Sequence, residues 1–263
     1  MKNWLLAIAI VLAASLANAR SGAVLDLPTR AGVTQRVLVE TPAGQPAAAT
    51  LVLLMGGNGQ LGIYPNGSLQ RDSHLLARVR GQFVALGHVV VLVDAPNDRR
   101  DLGGDFRESA EHATDLGFVI AHARKAFGQP VWLVGHSRGT HSAVTAATRL
   151  SGDAAPDGIV LAAPILESSR FGSATAKPLQ ESGVDTLRVP VLVLHHAQDT
   201  CAVSPPAKLV ELRAKLPPAA SRIIMYEGGT SRGAFCEVQA FHSFNGVEQR
   251  VVEDLSAYVA RPK

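Results

Sequence analysis

Val131-Trp132-Leu133-Val134-Gly135-His136-Ser137-Arg138-Gly139-Thr140 is the stretch on which the fold turns. Four apolar residues of strand character run straight into a Gly-x-Ser-x-Gly pentapeptide, and a helical pattern over residues 140–150 follows at once. Alone, such a pentapeptide is a weak sign; between a strand and a helix it has the setting it requires. A turn that tight puts the central serine into a strained backbone conformation, and the flanking glycines leave room where a Cβ would collide. The serine oxygen is thereby lifted above the sheet edge, with a helix N-terminus beneath it.

Outward from this turn, short apolar runs alternate with helical stretches. Residues 50–55 (TLVLLM) read as a strand buried on both faces, ending in Gly56-Gly57-Asn58-Gly59. A helix is predicted over 72–86, stopped by Gly87 as a C′ glycine, and a second buried strand over 88–93. Residues 106–127 read as one long amphipathic helix, with Glu108 and Glu111 early and Arg124 and Lys125 late, as the macrodipole favours. Further strands are expected at 131–134, 158–162, 189–195 and 222–226, and helices at 206–216 and 246–260. A leading hairpin pairs 24–27 with 35–40. Strands alternating with helices imply an α/β architecture, a mostly parallel central sheet covered on both faces.

The 263 residues are 47% hydrophobic and 18% charged, enough for one sizeable core, with no internal repeat or linker. The net charge of +3 comes from scattered basic residues, not from a Lys/Arg stripe interleaved with aromatics, so a nucleic-acid partner is not expected. Residues 1–19 have the plan of a secretory signal: Lys2, an apolar run from Trp4 to Leu16, and Ala17-Asn18-Ala19 as the small-x-small cleavage site. That run is too short to span a bilayer comfortably, so no membrane insertion is expected after cleavage. The domain reading is therefore a signal peptide at 1–19 and a single domain at 20–263, exported to the periplasm or the exterior. In an oxidising compartment the two cysteines, Cys201 and Cys236, are a candidate disulfide. No metal is expected: there is no CxxC or HxxxH spacing, and adjacent strand residues such as His195 and His196 face opposite sides.

Strand, Gly-His-Ser-Arg-Gly and helix, set among alternating β and α elements, resemble the α/β-hydrolase fold family, from Thr50 to the C-terminal helix. The resemblance implies Ser137 as a nucleophile, with its acid and its histidine following in chain order. A serine hydroxyl is a poor nucleophile until a base takes its proton, and the base needs a third group to hold its tautomer. Asp199, just after the strand ending His195-His196, fits the acid; Asp185 precedes that strand and so belongs at the other edge. His242 lies in the loop before the final helix, where the family places its base, and no other histidine follows His196. The oxyanion donors implied are the backbone N–H groups of Arg138 and Gly57, with Asn58 as the alternative to Gly57 in a loop where Met55 replaces the family's usual histidine.

If Asp199 and His242 meet, the cysteines two residues beyond one and six before the other must also approach. A bridge there would tie the acid loop to the base loop, contributing about 4 kcal/mol by loop entropy, or be structural only. The interval 164–188 is short and polar, so only a minimal cap is expected. Residues 60–71 and 98–101 are the expected rim loops, and Arg138 or Arg99 the residues that would favour an anionic group. A small-to-medium ester as the small-molecule partner, cleaved without a cofactor, is the expectation. A peptidase or amidase, an acyltransferase, and a non-catalytic binding protein on the same fold are its rivals.

Overall fold

The computed structural model describes residues 21–44, 47–171 and 174–262. Its strands are β1 (Ser21–Arg30), β2 (Val33–Thr41), β3 (Thr50–Leu54), β4 (Val89–Val93), β5 (Val131–His136), β6 (Gly158–Ala162), β7 (Ser169–Phe171), β8 (Ala174–Ala176), β9 (Val191–His196) and β10 (Ser221–Tyr226). The helices are α1 (Leu75–Ala85), α2 (Gly104–Arg107), α3 (Ala110–Phe127), α4 (Gly139–Arg149), α5 (Leu209–Lys215) and α6 (Glu248–Ala260). Eight strands form one sheet in the order β1-β2-β4-β3-β5-β6-β9-β10, and β7 with β8 makes a separate small hairpin. From β4 to β10 every neighbouring pair is parallel; β1 and β2 join antiparallel at the β4 edge.

The apolar runs become strands because both of their faces have something to cover. Leu51 and Leu53 of β3 pack in one layer with Phe83 of α1 and Val251 of α6. Val52 and Leu54 face the other layer, with Leu116 and Ile120 of α3, Val144 of α4 and Leu212 of α5. All five residues of β3 and all five of β4 are buried, as a sheet sandwiched between helical layers demands. The chain steps from β3 outward to β4, then returns across β3 to β5, so the carboxyl ends of β3 and β5 flank the point where the strand order reverses. That crevice is where an open α/β sheet takes its ligands. Asp94, just past β4, accepts the N–H groups of Leu61 and Ile63 at 2.8 Å each and holds the loop after β3 against the sheet end.

Several local expectations need correcting. The helix expected over 106–127 is two. The short α2 ends at Arg107, and Ser109 caps α3 by accepting the His112 N–H at 3.1 Å. Serine at an N-cap competes with helix continuation, a signal that the surrounding helical periodicity masks. The first helix begins at Leu75, three residues later than its periodicity suggests, and the leading hairpin extends to the Ala31-Gly32 turn. The β7–β8 hairpin was not anticipated, since its strands are only three residues each. The expected leader, residues 1–19, lies outside the described residues.

Candidate active site

Ser137 sits between β5 and α4 with φ 54°, a left-handed backbone that a residue bearing a Cβ rarely adopts. Its N–H donates to the Ala162 carbonyl at 2.9 Å, fixing the turn to β6. Each glycine around it is required by contact. A Cβ on Gly135 would lie 2.5 Å from the Gly139 carbonyl oxygen, and one on Gly139 would lie 2.1 Å from that of Leu54. One on Gly56 would lie 2.9 Å from the Ser137 Cβ. The turn is therefore wedged against the end of β3.

His242 lies in a short 3-10 turn before α6, and Asp199 in the turn after β9. The His242 Nε2 stands 3.0 Å from the Ser137 Oγ, and its Nδ1–H donates to the Asp199 Oδ2 at 2.8 Å. Asp199 Oδ1 accepts the Cys201 N–H at 2.9 Å, so both carboxylate oxygens have partners. Asp199 and His242 are buried, while the serine is partly open to solvent. The His242 loop is held from two sides. His136 Nε2–H donates to the His242 carbonyl at 3.0 Å, and the His196 ring stacks on Phe241 with centroids 4.5 Å apart. Cys201 and Cys236 are joined in a disulfide with Cα atoms 4.7 Å apart, linking the turn after Asp199 to the segment before His242.

The Gly56–Gly59 loop faces this group from the end of β3. The carbonyls of Gly56, Gly57 and Asn58 are committed, to the Gly59 N–H, to Arg107 and to the Leu102 N–H, and that of Met55 just before the loop also goes to Arg107. The N–H groups of Gly57 and Asn58 donate to no other group among the described residues. A loop with three oxygens so engaged and the Gly57 and Asn58 N–H groups uncommitted offers a place for negative charge. The Arg138 N–H stands beside it at the start of α4.

No protein-family description matches the chain, and no curated protein does. Solved structures do. A cold-adapted esterase from an Arctic intertidal metagenomic library superposes with a TM-score of 0.59 at 17% identity, over 90% of this chain and 93% of that one. The esterase domain of a Rhodothermus marinus protein gives 0.60 at 12%, over 92% and 99%. An α/β serine hydrolase without lid from Xanthomonas campestris gives 0.55 at 16%, over 91% of each. The chain has the α/β-hydrolase fold.

Within this α/β-hydrolase fold the cap position after β6 carries only the β7–β8 hairpin and short 3-10 turns among the described residues. Two lobes of a cleft meet at Ser137. One, of about 330 Å³, is lined by Arg71, His74, Leu75 and Val238. The other, of about 300 Å³, is walled by Ile165, Val203 and the Cys201–Cys236 bridge, with Asp101 and Arg138 at its side. Burial, with help from Arg71, pushes the His74 pKa down, so His74 is a neutral wall residue at neutral pH. Arg99 is engaged elsewhere, stacked 4.3 Å above the Phe106 ring. Arg138 is buried, with Nη1 at 3.5 Å from the Gly57 carbonyl. The expected rim loops 60–71 and 98–101 reach the cleft through Arg71, whose Nη1 donates to the Asn58 Oδ1 at 2.5 Å, and Asp101; sequence reasoning singled out neither side chain and missed Ile165 and Val203. Only their convergence in space marks them. His195 and His196 part as expected, to the Ser204 Oγ at 3.1 Å and the Gly228 carbonyl at 2.9 Å.

Proposed function

We propose that this chain is a serine hydrolase that cleaves carboxylic ester bonds of small-to-medium substrates through an acyl-enzyme on Ser137. The observation that carries the reading is the unbroken relay from Asp199 through His242 to Ser137, at 2.8 and 3.0 Å, on a serine held at φ 54°. A carboxylate on the imidazole Nδ1–H leaves Nε2 unprotonated and aimed at the hydroxyl, the state a general base needs.

The chemistry follows from that arrangement. The Ser137 oxygen attacks the ester carbonyl while the His242 Nε2 takes its proton. The tetrahedral oxyanion is met by the N–H groups of Arg138 and Gly57, with Asn58 as the alternative to Gly57. His242 then returns the proton to the departing alcohol, leaving the acyl group on Ser137. Water, deprotonated by the same imidazole, attacks the acyl-enzyme and releases the acid and the free serine. The lobe walled by Ile165, Val203 and the disulfide suits the apolar arm of the substrate, and the open cap position suits a soluble, compact one. The similar solved structures, two esterases and a serine hydrolase, are compatible with this reading. The proposal includes a single catalytic domain over 20–263, exported behind the leader at 1–19. A disulfide of the kind that persists in oxidising compartments supports that location. Among the described residues no helix is long and apolar enough to cross a membrane.

A fluorophosphonate probe tests the nucleophile. It should label the wild-type chain and leave Ser137→Ala unlabelled; equal labelling of both would reject Ser137. A panel of p-nitrophenyl esters and aminoacyl anilides then ranks the bonds. Faster turnover of the anilides than of the esters would move the assignment to an amidase.

A further inference from the structure

Arg107 is one of the largest side chains fully buried in the molecule, 1% exposed, and no carboxylate pairs with it among the described residues. An arginine normally enters an interior only with an anion, because a buried unpaired charge is costly. Here the guanidinium spends its N–H groups on neutral acceptors. Nε donates to the Leu102 carbonyl at 2.9 Å and Nη1 to the Ser142 Oγ at 2.9 Å. Nη2 donates to the Met55 carbonyl at 3.0 Å and the Gly57 carbonyl at 3.3 Å. Two of those four acceptors flank Gly56, at the start of the loop that faces Ser137.

Ser142 and His112 complete the setting. Arginine can only donate, so the Ser142 hydroxyl oxygen accepts from it, and the same oxygen lies 2.8 Å from the His112 Nε2. Burial, followed by the nearby Arg107 and Arg30, pushes the His112 pKa down to about 3, so the ring is neutral and adds no second positive charge beside Arg107. Gly59 has no side chain because a Cβ there would lie 2.9 Å from the Arg107 Nη2 and 2.5 Å from Leu102. The loop is shaped to let the guanidinium in.

The consequence lies on the other side of the peptide plane. In a trans peptide the C=O and the following N–H point in opposite directions. Fixing the Gly57 carbonyl on Arg107 fixes the Asn58 N–H, and fixing the Met55 carbonyl fixes the direction in which the loop leaves β3. A cation on the carbonyl also polarises that peptide, strengthening its N–H as a donor.

We propose that Arg107 is a positioning residue for the reaction: it orients the Met55–Gly56 and Gly57–Asn58 peptides, and its buried charge biases the Asn58 N–H, the alternative oxyanion donor, toward the anion that forms above Ser137. The proposal rests on the reading of Ser137 as nucleophile. It assigns the buried charge to the transition state and not to substrate binding.

Arg107→Lys and Arg107→Met are the variants to compare with wild type, using p-nitrophenyl acetate and a trifluoromethyl ketone that adds to serine as a tetrahedral oxyanion. Lysine keeps the charge and can satisfy only some of the acceptors, so it is also the variant read if the methionine chain fails to fold. The expected result is a fall in kcat of about 10²-fold for methionine, the cost of misplacing a reacting group by about 1 Å, and a smaller fall for lysine. KM should stay within about threefold, and trifluoromethyl ketone affinity should fall in step with kcat, as loss of transition-state binding requires. Folded Arg107→Lys with kcat and ketone affinity within threefold of wild type would overturn the proposal, as would a loss confined to KM. Failure of the nucleophile reading looks different, because wild type itself would then neither turn over the ester nor bind the ketone on Ser137.

Discussion

At the scale of single residues, strain and contact account for the elbow. Ser137 holds a left-handed φ that costs a residue with a Cβ on the order of 1 kcal/mol. Ser137→Gly should therefore raise stability by about that amount while removing all turnover. A thermal midpoint no higher than wild type would show that the turn is not strained. Gly139→Ala should do the reverse: its Cβ would meet the Leu54 carbonyl at 2.1 Å, so it should destabilise by roughly 1–3 kcal/mol or more and disturb the nucleophile. Within the relay, Ser137→Ala and His242→Ala should abolish ester turnover. Asp199→Asn should leave a residue of about 10⁻⁴, because asparagine holds the imidazole in the wrong tautomer. Full activity of Asp199→Asn would require another acid. Ser137 was legible in the sequence because its signal is local, a pentapeptide between a strand and a helix. Asp199 and His242 were legible only through the chain order of the resembled family. Arg107 was not legible, since its key partners are backbone carbonyls some fifty positions away and a lone arginine near a helix end reads as a solvated cation.

Among elements, the loops that matter are those leaving the carboxyl ends of β3, β5 and β9, with the turn before α6. Their strands could be read from unbroken apolar runs, which place them in a sheet covered on both faces. What those loops build between them was not readable. The cleft wall draws Arg71, Ile165, Val203 and Cys236 from four separate segments, and no periodicity links them. The split of the expected 106–127 helix was hidden for a related reason, as a capping serine is common inside helical patterns too. The disulfide belongs to this scale. It joins the turn that carries Asp199 to the segment that leads to His242, so it should limit drift between acid and base as well as stabilise. Cys201→Ser with Cys236→Ser should lower stability by about 2–4 kcal/mol in denaturant unfolding. The same pair should lower kcat at temperatures where the protein is still fully folded. Unchanged kcat in the folded double variant would make the bridge purely structural.

Across the whole molecule, an acid-sensitive interior follows from its buried histidines. Burial pushes the pKa of His88, His112, His136, His141 and His195 below the ordinary histidine value. A histidine with a depressed folded pKa contributes stability that is complete above its unfolded value near 6.5 and is lost as pH falls toward the folded value. For His112 that window runs from about 6.5 down to about 3. Unfolding free energy should therefore drop between pH 7.5 and pH 5, and His112→Gln should make the drop shallower. A pH-independent free energy over that interval would contradict this. The mostly parallel sheet covered on both faces was predictable in kind, because alternating apolar runs and helices leave few other ways to bury them; its strand order was not read from the sequence. The central claim, that the sheet end makes Ser137 a nucleophile that carries the acyl group, has a direct test. Wild-type protein mixed with p-nitrophenyl acetate, acid-quenched within milliseconds and digested for mass spectrometry, should carry one acetyl group on the peptide containing Ser137. Turnover with that peptide unmodified, or with the acetyl on another residue, would contradict it.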